Sequence, residues 1–178
     1  MLYNLVSTRT RIIMTIFKNT KITLRDVILG GQDGLVNVLG LSLGLFTAHA
    51  STRVILIAGL AAGFSEAISM GAVAFTSARA DKEIVKQKRT ADLVFSSIVV
   101  TCSALCGALA PLVPFLFLSP IHSVIIAIII SAGILFALGV INARNMGNKK
   151  VQGGIEILLI GLLSAFAGFA IGLLLKVQ

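Results

Sequence analysis

Five long apolar segments dominate the sequence, and each has the length that a helix needs to cross a lipid bilayer. They cover residues 27–50, 54–78, 93–118, 121–142 and 154–175. Roughly twenty apolar residues in a helix span the hydrocarbon core. The chain has 178 residues, 57% of them hydrophobic and only 12% charged, so a water-soluble core could not enclose its apolar surface. The sequence therefore predicts an all-α integral membrane protein with five transmembrane helices.

The basic residues predict how these helices are oriented. Thirteen of the 15 Lys and Arg residues precede the first segment or lie in the connectors after the second and fourth segments. Only Arg53 and Lys176 fall on the other side of the membrane. Because loops rich in Lys and Arg stay in the cytosol, we expect a cytoplasmic N-terminus and an external C-terminus. The net charge of +8 is therefore interpreted as topology, and no nucleic-acid partner is expected.

The first residues form a segment of their own in this interpretation. Residues 1–25 are predicted to be an amphipathic cytoplasmic segment, followed by a transmembrane domain at 26–178. Apolar side chains recur on one helical face of this segment at Leu2, Leu5, Val6, Ile13, Ile16 and Phe17. This period predicts a helix lying on the inner leaflet, and the alternative is a frayed basic tail. Thr23 and Asp26 have the spacing of a cap at the start of the first transmembrane helix.

Two acids lie deep inside apolar segments. At 1.5 Å per residue, Asp33 is about 12 Å into the first helix and Met70 about 13 Å into the second. Asn37 and Glu66 are each one turn deeper, at about 18–20 Å. No Lys or Arg shares this depth, and ionisable residues inside a membrane are rare unless they are functional. The sequence therefore predicts a functional site between the first two helices.

The donor types in this set predict the ligand. Oxygen donors with one thioether suit a divalent transition metal such as Fe²⁺ or Mn²⁺, which prefers about six ligands. One set is too small for such an ion, so a second copy related by a two-fold axis is expected. Other roles remain open, because Asn37 could bridge helices, Met70 could fill space and Glu66 could be structural.

Small residues on the first two helices are expected either to leave open space beside the site or to pack against another helix. The site face of the first helix continues through Gly40 and Gly44, which we expect to leave open space. The second helix carries a small-residue face for packing against another helix, formed by Gly59, Gly63, Ala67 and Gly71.

Other polar or sulfur-containing residues are interpreted as structural. Glu156 is placed in the first turn of the last helix, where a carboxylate suits the helix dipole. Cys102 and Cys106 are four residues apart and are expected to be buried on one face. His49 and His122 fall at the outer membrane boundary, where a metal-binding role on the exit side is the alternative to simple interfacial placement.

Three stretches of the sequence resemble the vacuolar iron transporter family: "DVILGGQDGLVNVLGLSLGL", "AGLAAGFSEAISMGAVAFTSARADKE" and "PLVPFLF". The resemblance covers nearly the whole chain from Asp26 onward. It is strongest at Asp33-Gly34-Leu35 and in the residues from Ala67 to Gly71. It implies a homodimer of five-helix protomers that moves Fe²⁺ or Mn²⁺ out of the cytosol in exchange for protons. The ion path would then lie between the two first helices.

The resemblance also assigns individual residues, with two departures. The family's transmembrane Asp corresponds to Asp33 and its second-helix Met to Met70. The family's second-helix carboxylate corresponds to Ala62, and Glu66 stands one turn nearer the cytoplasm. Many members carry a Glu-rich cytoplasmic metal-binding domain between helices 2 and 3, where this chain has a short basic connector.

Taken together, these features predict an antiporter for metal ion homeostasis that uses Asp33, Glu66, Met70 and Asn37 as metal ligands. The metal ion is its substrate, protons are its counter-ion, and no resident cofactor or catalytic residue is expected. The alternative is a non-transporting membrane scaffold that retains the fold. An enzyme is disfavoured because no nucleophile–base pair is recognisable. The expected location is a prokaryotic cytoplasmic membrane, or a vacuolar membrane in a eukaryote.

Overall fold

The computed structural model describes the backbone of residues 2–85 and 90–175 and the side chains of residues 24–80 and 90–175. Within these ranges the chain is helical and contains no strand. Its helices are α1 (Leu2–Thr47), α2 (Thr52–Val85), α3 (Thr90–Leu109), α4 (Val113–Phe117), α5 (Pro120–Met146) and α6 (Lys150–Leu174). In the described part, the stretches long and apolar enough to cross a membrane are Leu24–Thr47, Thr52–Ala80, Thr90–Leu109, Pro120–Met146 and Lys150–Leu174. The predicted all-α membrane fold with five spans is confirmed.

The third span is shorter than predicted. The sequence was interpreted as one helix over 93–118, but α3 ends at Leu109 and the short helix α4 follows it. Pro111 and Pro114 account for the break, because proline has no backbone N–H and its ring clashes with the preceding turn. Pro120 has the opposite effect at the first position of α5, where its missing N–H costs nothing.

The helix α1 begins well before the first span. It runs unbroken from Leu2 to Thr47, so the predicted cap at Thr23 and Asp26 is wrong. Asp26 is instead buried, and its Oδ2 accepts a hydrogen bond of 2.6 Å from the Ser96 hydroxyl on α3. The side chains of residues 1–23 lie outside the described part of the chain. The amphipathic face of this segment and the boundary at residue 25 therefore stay predictions.

The central helix of the bundle is α1, which contacts α2, α3, α5 and α6. Its approach to α3 is close enough to require glycine. A Cβ added to Gly34 would lie 2.1 Å from the Ala104 carbonyl oxygen, and one added to Gly30 would lie 2.4 Å from that of Val100. Side chains at these positions would push the two helices apart, so the glycines hold α1 against the backbone of α3.

The contact of α1 with α6 corrects one expectation. Gly40 and Gly44 were expected to leave open space beside the predicted site, but both pack against the backbone of α6. A Cβ on Gly44 would lie 2.8 Å from the Gly168 carbonyl oxygen. Near the same end of α1, the buried Thr47 hydroxyl also donates to the Phe169 carbonyl oxygen at 3.2 Å. The glycines bring the two backbones together, so this face of α1 is packed against α6.

The predicted small-residue face of α2 is confirmed. Its four members, Gly59, Gly63, Ala67 and Gly71, are all buried. The glycines meet α3 and the residues just after it. A Cβ on Gly63 would lie 2.8 Å from the Ala108 side chain, and one on Gly71 would lie 1.9 Å from Thr101 Oγ1. This face packs α2 on α3 and turns the remaining side of α2 towards α1 and the protomer surface.

The two cysteines do not occupy the core. Cys102 and Cys106 are both exposed, so their predicted burial is wrong. The face of α3 that packs against α1 is formed instead by residues such as Val100 and Ala104, which are fully buried. The cysteines share one face as predicted, but it is the outer face.

The two ends of the bundle differ in charge. Basic residues cluster at one end, which we call the basic end and define by Arg25, Arg79, Arg144, Lys149 and Lys150. The opposite end carries the two histidines, both exposed. His49 lies in the turn after α1 with a positive φ of 61°, and His122 Nδ1 is 2.7 Å from the Ser119 hydroxyl.

Candidate metal-binding site

The predicted site residues come from two neighbouring antiparallel helices. Asp33 and Asn37 lie one turn apart on α1, while Glu66 and Met70 lie one turn apart on α2. The Asn37 side-chain amide donates a hydrogen bond from Nδ2 to Glu66 Oε1. Asn37 and Glu66 therefore lie at one level, as their depths in the sequence predict.

Asp33 belongs to the same group. Its carboxyl group lies close enough to the Glu66 carboxyl group for their charges to interact. Glu66 thus lies beside two successive turns of α1, near Asp33 on one and hydrogen-bonded to Asn37 on the next. The tertiary structure brings together two carboxyl groups and one amide inside the membrane-spanning part of the bundle.

Met70 lies beside this group. It is half-buried on α2, one turn from Glu66 in the direction of the basic end. The described contacts join Asp33, Asn37 and Glu66, and they do not include Met70. Ala62, which the family resemblance pairs with a carboxylate, lies one turn from Glu66 in the other direction and is also half-buried.

The site opens on the surface of the protomer. Asn37 is exposed, and Asp33 and Glu66 are half-buried. The glycine faces of α1 are already taken by α3 and α6, so the polar residues remain on the uncovered side. Polar groups facing hydrocarbon cost several kcal/mol each unless water or protein covers them. This side of α1 and α2 therefore requires a polar environment.

The donor set is rich in oxygen and contains no histidine. Among the described residues, no group of three or more His, Cys, Asp and Glu side chains could hold a metal ion. One protomer supplies two carboxyl groups and an amide oxygen, with a thioether one turn away. That set suits Fe²⁺ or Mn²⁺ better than Zn²⁺ or Cu⁺, but it leaves such an ion short of the six or so ligands it prefers.

For two further acids, Asp26 and Glu156, the roles predicted from the sequence are wrong. Asp26 precedes Asp33 by seven residues, about two helical turns. It contacts Ser96 on α3, a partner that nothing in the sequence indicates. Glu156 was expected in the first turn of the last helix. Since α6 begins at Lys150, Glu156 lies in its second turn, and that expectation is wrong. Its distance from the helix start weakens any interaction with the helix dipole.

Comparison with known proteins extends over the whole bundle. The VIT family pattern matches residues 24–93 and 90–173. A vacuolar iron transporter of Centaurea cyanus is 23% identical over 210 residues, covering 83% of this chain and 85% of that protein. Vacuolar iron transporter 1 of Arabidopsis thaliana is 39% identical over 59 residues, which are 33% of this chain and 24% of that protein. An uncharacterized protein of Methanocaldococcus jannaschii is 27% identical over 167 residues, covering 83% of this chain and 87% of that protein.

Proposed function

This chain belongs to the VIT family, and we propose that it is a transmembrane transporter that exports Fe²⁺ or Mn²⁺ from the cytosol in exchange for protons. Relatives named as vacuolar iron transporters support a metal ion as the cargo. Membership in a transporter family also fits a protein that is not an enzyme.

The observation that carries the proposal is the contact of Asp33 and Asn37 on α1 with Glu66 on α2. The sequence has no Lys or Arg in 26–47 or 54–78 to neutralise these carboxylates. Two carboxyl groups without a basic partner inside a membrane call for protons or a cation to balance their charge. A divalent cation that approaches the site would meet both.

The same contact supports proton exchange. Two neighbouring carboxylates without a basic partner repel each other, and a proton on one of them would relieve that repulsion. Metal ions bind the deprotonated form, so metal binding at Asp33 and Glu66 would release that proton. The site can thus hold either a proton or a metal ion, which is the chemical requirement for an antiporter.

The donors favour a metal of intermediate softness. Asp33, Glu66 and Asn37 supply hard oxygen donors, and Met70 adds a soft thioether on the side of the basic end. Mg²⁺ and Ca²⁺ gain little from sulfur, whereas Fe²⁺ and Mn²⁺ accept both donor types. We assign these four residues to the transported ion.

The open side of the site supports a homodimer. A second copy, related by a two-fold axis along the membrane normal, would cover the exposed Asn37 and contribute a second donor set. The combined set would satisfy a metal ion that prefers about six ligands. In this arrangement the ion path runs between the two α1 helices.

The basic end is proposed to face the cytosol, because Lys and Arg are retained on the cytoplasmic side of membrane proteins. The N-terminus would then be cytoplasmic and the C-terminus external. We propose the cytoplasmic membrane of a prokaryote as the location, or the vacuolar membrane if the source is eukaryotic.

Flux into liposomes tests the function directly. The purified protein is reconstituted with a metal-quenched dye inside, and Mn²⁺ or Fe²⁺ is added outside at neutral pH. An acidic interior should accelerate uptake, and Asp33→Asn should abolish it. If a correctly folded dimer transports no metal under any pH gradient, the transport proposal is refuted and the alternative of a non-transporting membrane scaffold is supported.

A further inference from the structure

A second polar feature lies at the basic end, away from the Asp33–Glu66 site. It is a cleft of about 530 Å³ between α5, α6 and the turn that joins them. The polar and sulfur-containing residues in its lining are Asn142, Met146, Asn148, Lys149, Gln152 and Glu156. Apolar residues of both helices complete its walls.

Glu156 is the carboxylate of this cleft, and the packing of α6 on α1 defines its depth in the membrane. A Cβ on Gly161 would be 3.2 Å from the Val36 side chain, which sets the register of α6 against α1. Glu156 precedes Gly161 by five residues and therefore lies at the level of Gly31. That level is within about one helical turn of Asp33. Glu156 is thus an acid at membrane depth, reached from the basic end through a polar cleft.

The donors around Glu156 are of the same types as those of the membrane site, with one carboxylate instead of two. Asn142, Asn148 and Gln152 can each present an amide oxygen, and Met146 presents a thioether. We propose that this cleft is a second binding site for a divalent transition metal, with Glu156 as its charged ligand and Asn142, Gln152 and Met146 as neutral ligands. Its position at the basic end would admit an ion from that side of the membrane.

Lys149 lines the same cleft, and its positive charge lowers the affinity of the cleft for a metal cation. Its ammonium group is strongly hydrated and stands on a flexible stem, so it can extend towards water when a cation enters. It still opposes the cation by charge repulsion. The site is therefore weak, which is appropriate for an ion that must be released again.

An anionic lipid headgroup is the other occupant that the basic residues could attract. Glu156 argues against it, since a phosphate drawn into the cleft would approach a carboxylate. A divalent cation would use Glu156 together with the amide oxygens of Asn142 and Gln152, whereas a headgroup phosphate would leave Glu156 unpaired.

Mn²⁺ binding to the purified full-length protein tests the proposal. The loss of the free-ion signal in electron paramagnetic resonance reports bound Mn²⁺. The background variant Asp33→Asn/Glu66→Gln removes the membrane site's carboxylates and leaves the cleft unchanged. We expect this background to bind Mn²⁺ and the added substitution Glu156→Gln to weaken binding at least about tenfold, because ligand charge dominates affinity.

Two further variants separate a ligand from a general charge effect. Lys149→Gln should strengthen Mn²⁺ binding, because it removes the opposing charge from the cleft. Asp92→Asn removes one negative charge at the start of α3, outside the cleft lining, and should leave binding unchanged. Should the background variant fail to fold, the same substitutions in the wild-type protein would report the cleft through the stoichiometry of bound Mn²⁺.

Several results would overturn the inference. Mn²⁺ binding that is equal with and without Glu156 would exclude the cleft as a metal site. So would a background that binds no Mn²⁺ but retains phosphatidylglycerol in a Lys149-dependent manner, since the cleft would then be a lipid site. The identity of the cleft's ion as the transported ion rests on the proposed transport. Failure of the transport proposal and failure of the cleft proposal are distinguishable. Transport is tested by its loss in Asp33→Asn, whereas binding in the cleft is measured in a variant that lacks the Asp33 and Glu66 carboxylates.

Discussion

Asn37 and Glu66, which are 29 residues apart in the chain, are joined by a hydrogen bond from Asn37 Nδ2 to Glu66 Oε1 across α1 and α2. The contact connects two helices that run in opposite directions through the membrane. It places an amide and a carboxyl group together at a depth where neither finds a basic partner.

Asp33→Asn should abolish metal transport, because loss of a direct ligand exceeds the roughly 10–100-fold effect of losing one of its supporting partners. The change keeps the shape of the side chain and removes its charge. Size-exclusion chromatography should show the same oligomer as the wild type. Flux at the wild-type rate would remove Asp33 from the ion path.

Glu66→Ala should abolish transport, and adding Ala62→Glu should restore part of it. Residues 62 and 66 are about 6 Å apart along the helix axis and about 40° apart around it, so both can face the same region. Both positions are half-buried. Flux in the wild type, both single variants and the double variant measures the effect. If the double variant stays inactive in a well-folded oligomer, Glu66 does not replace the family's carboxylate.

Asn37→Ala should weaken the α1–α2 contact and lower the free energy of unfolding by roughly 1 kcal/mol, a usual value for a hydrogen bond between membrane helices. Glu66 would keep Asp33 as a partner but lose its amide donor. Thermal unfolding in detergent measures the stability, and Mn²⁺ titration measures the site. Unchanged values in both would mean that the contact contributes to neither.

Gly34→Ala should destabilise the bundle by about 1–3 kcal/mol, the usual cost of forcing extra atoms into a packed interface. Its Cβ would lie 2.1 Å from the Ala104 carbonyl oxygen. Gly133→Ala is the matched control, because a Cβ there meets nothing within 4 Å. Alanine also favours a helix over glycine, so the control should be neutral or stabilising. Equal melting temperatures for both variants would contradict the close packing of α1 on α3.

Cysteine labelling should place the basic end in the cytosol. In a background with Cys102→Ser and Cys106→Ser, Asn145→Cys reports the basic end and Ser119→Cys the opposite end. A membrane-impermeant reagent added to intact cells should label only the cysteine at position 119. Labelling of position 145 from outside would reverse the proposed topology and the direction of transport with it.

The common depth of Asn37 and Glu66 could be predicted from the sequence alone. Asn37 and Glu66 were placed at one level by counting residues from the ends of two apolar segments. That count succeeds because a membrane helix has a constant rise and must span a fixed thickness. Depth along the membrane normal is therefore encoded locally. The identity and level of the polar residues follow from it without knowledge of any neighbour.

The sequence was insufficient to predict which face of each helix packs against its neighbours. Gly40 and Gly44 were expected to border open space but pack on α6, and Cys102 and Cys106 face outward from α3. In a membrane every face of an apolar helix can meet lipid, so hydropathy does not mark the face that packs. That choice depends on which distant backbone comes close enough to require glycine.

The sequence by itself determined the five membrane-spanning helices, the depth of Asp33, Asn37 and Glu66, and the family to which the chain belongs. Helix length, hydropathy and the fixed rise of an α-helix are properties of consecutive residues. Only the tertiary structure decided that Asp26 contacts Ser96, that Asp33 lies beside Glu66, and that Gly44 packs on Gly168. These relationships depend on rotation and register between helices that are far apart in the chain, and they are settled when close packing selects one arrangement of the whole bundle.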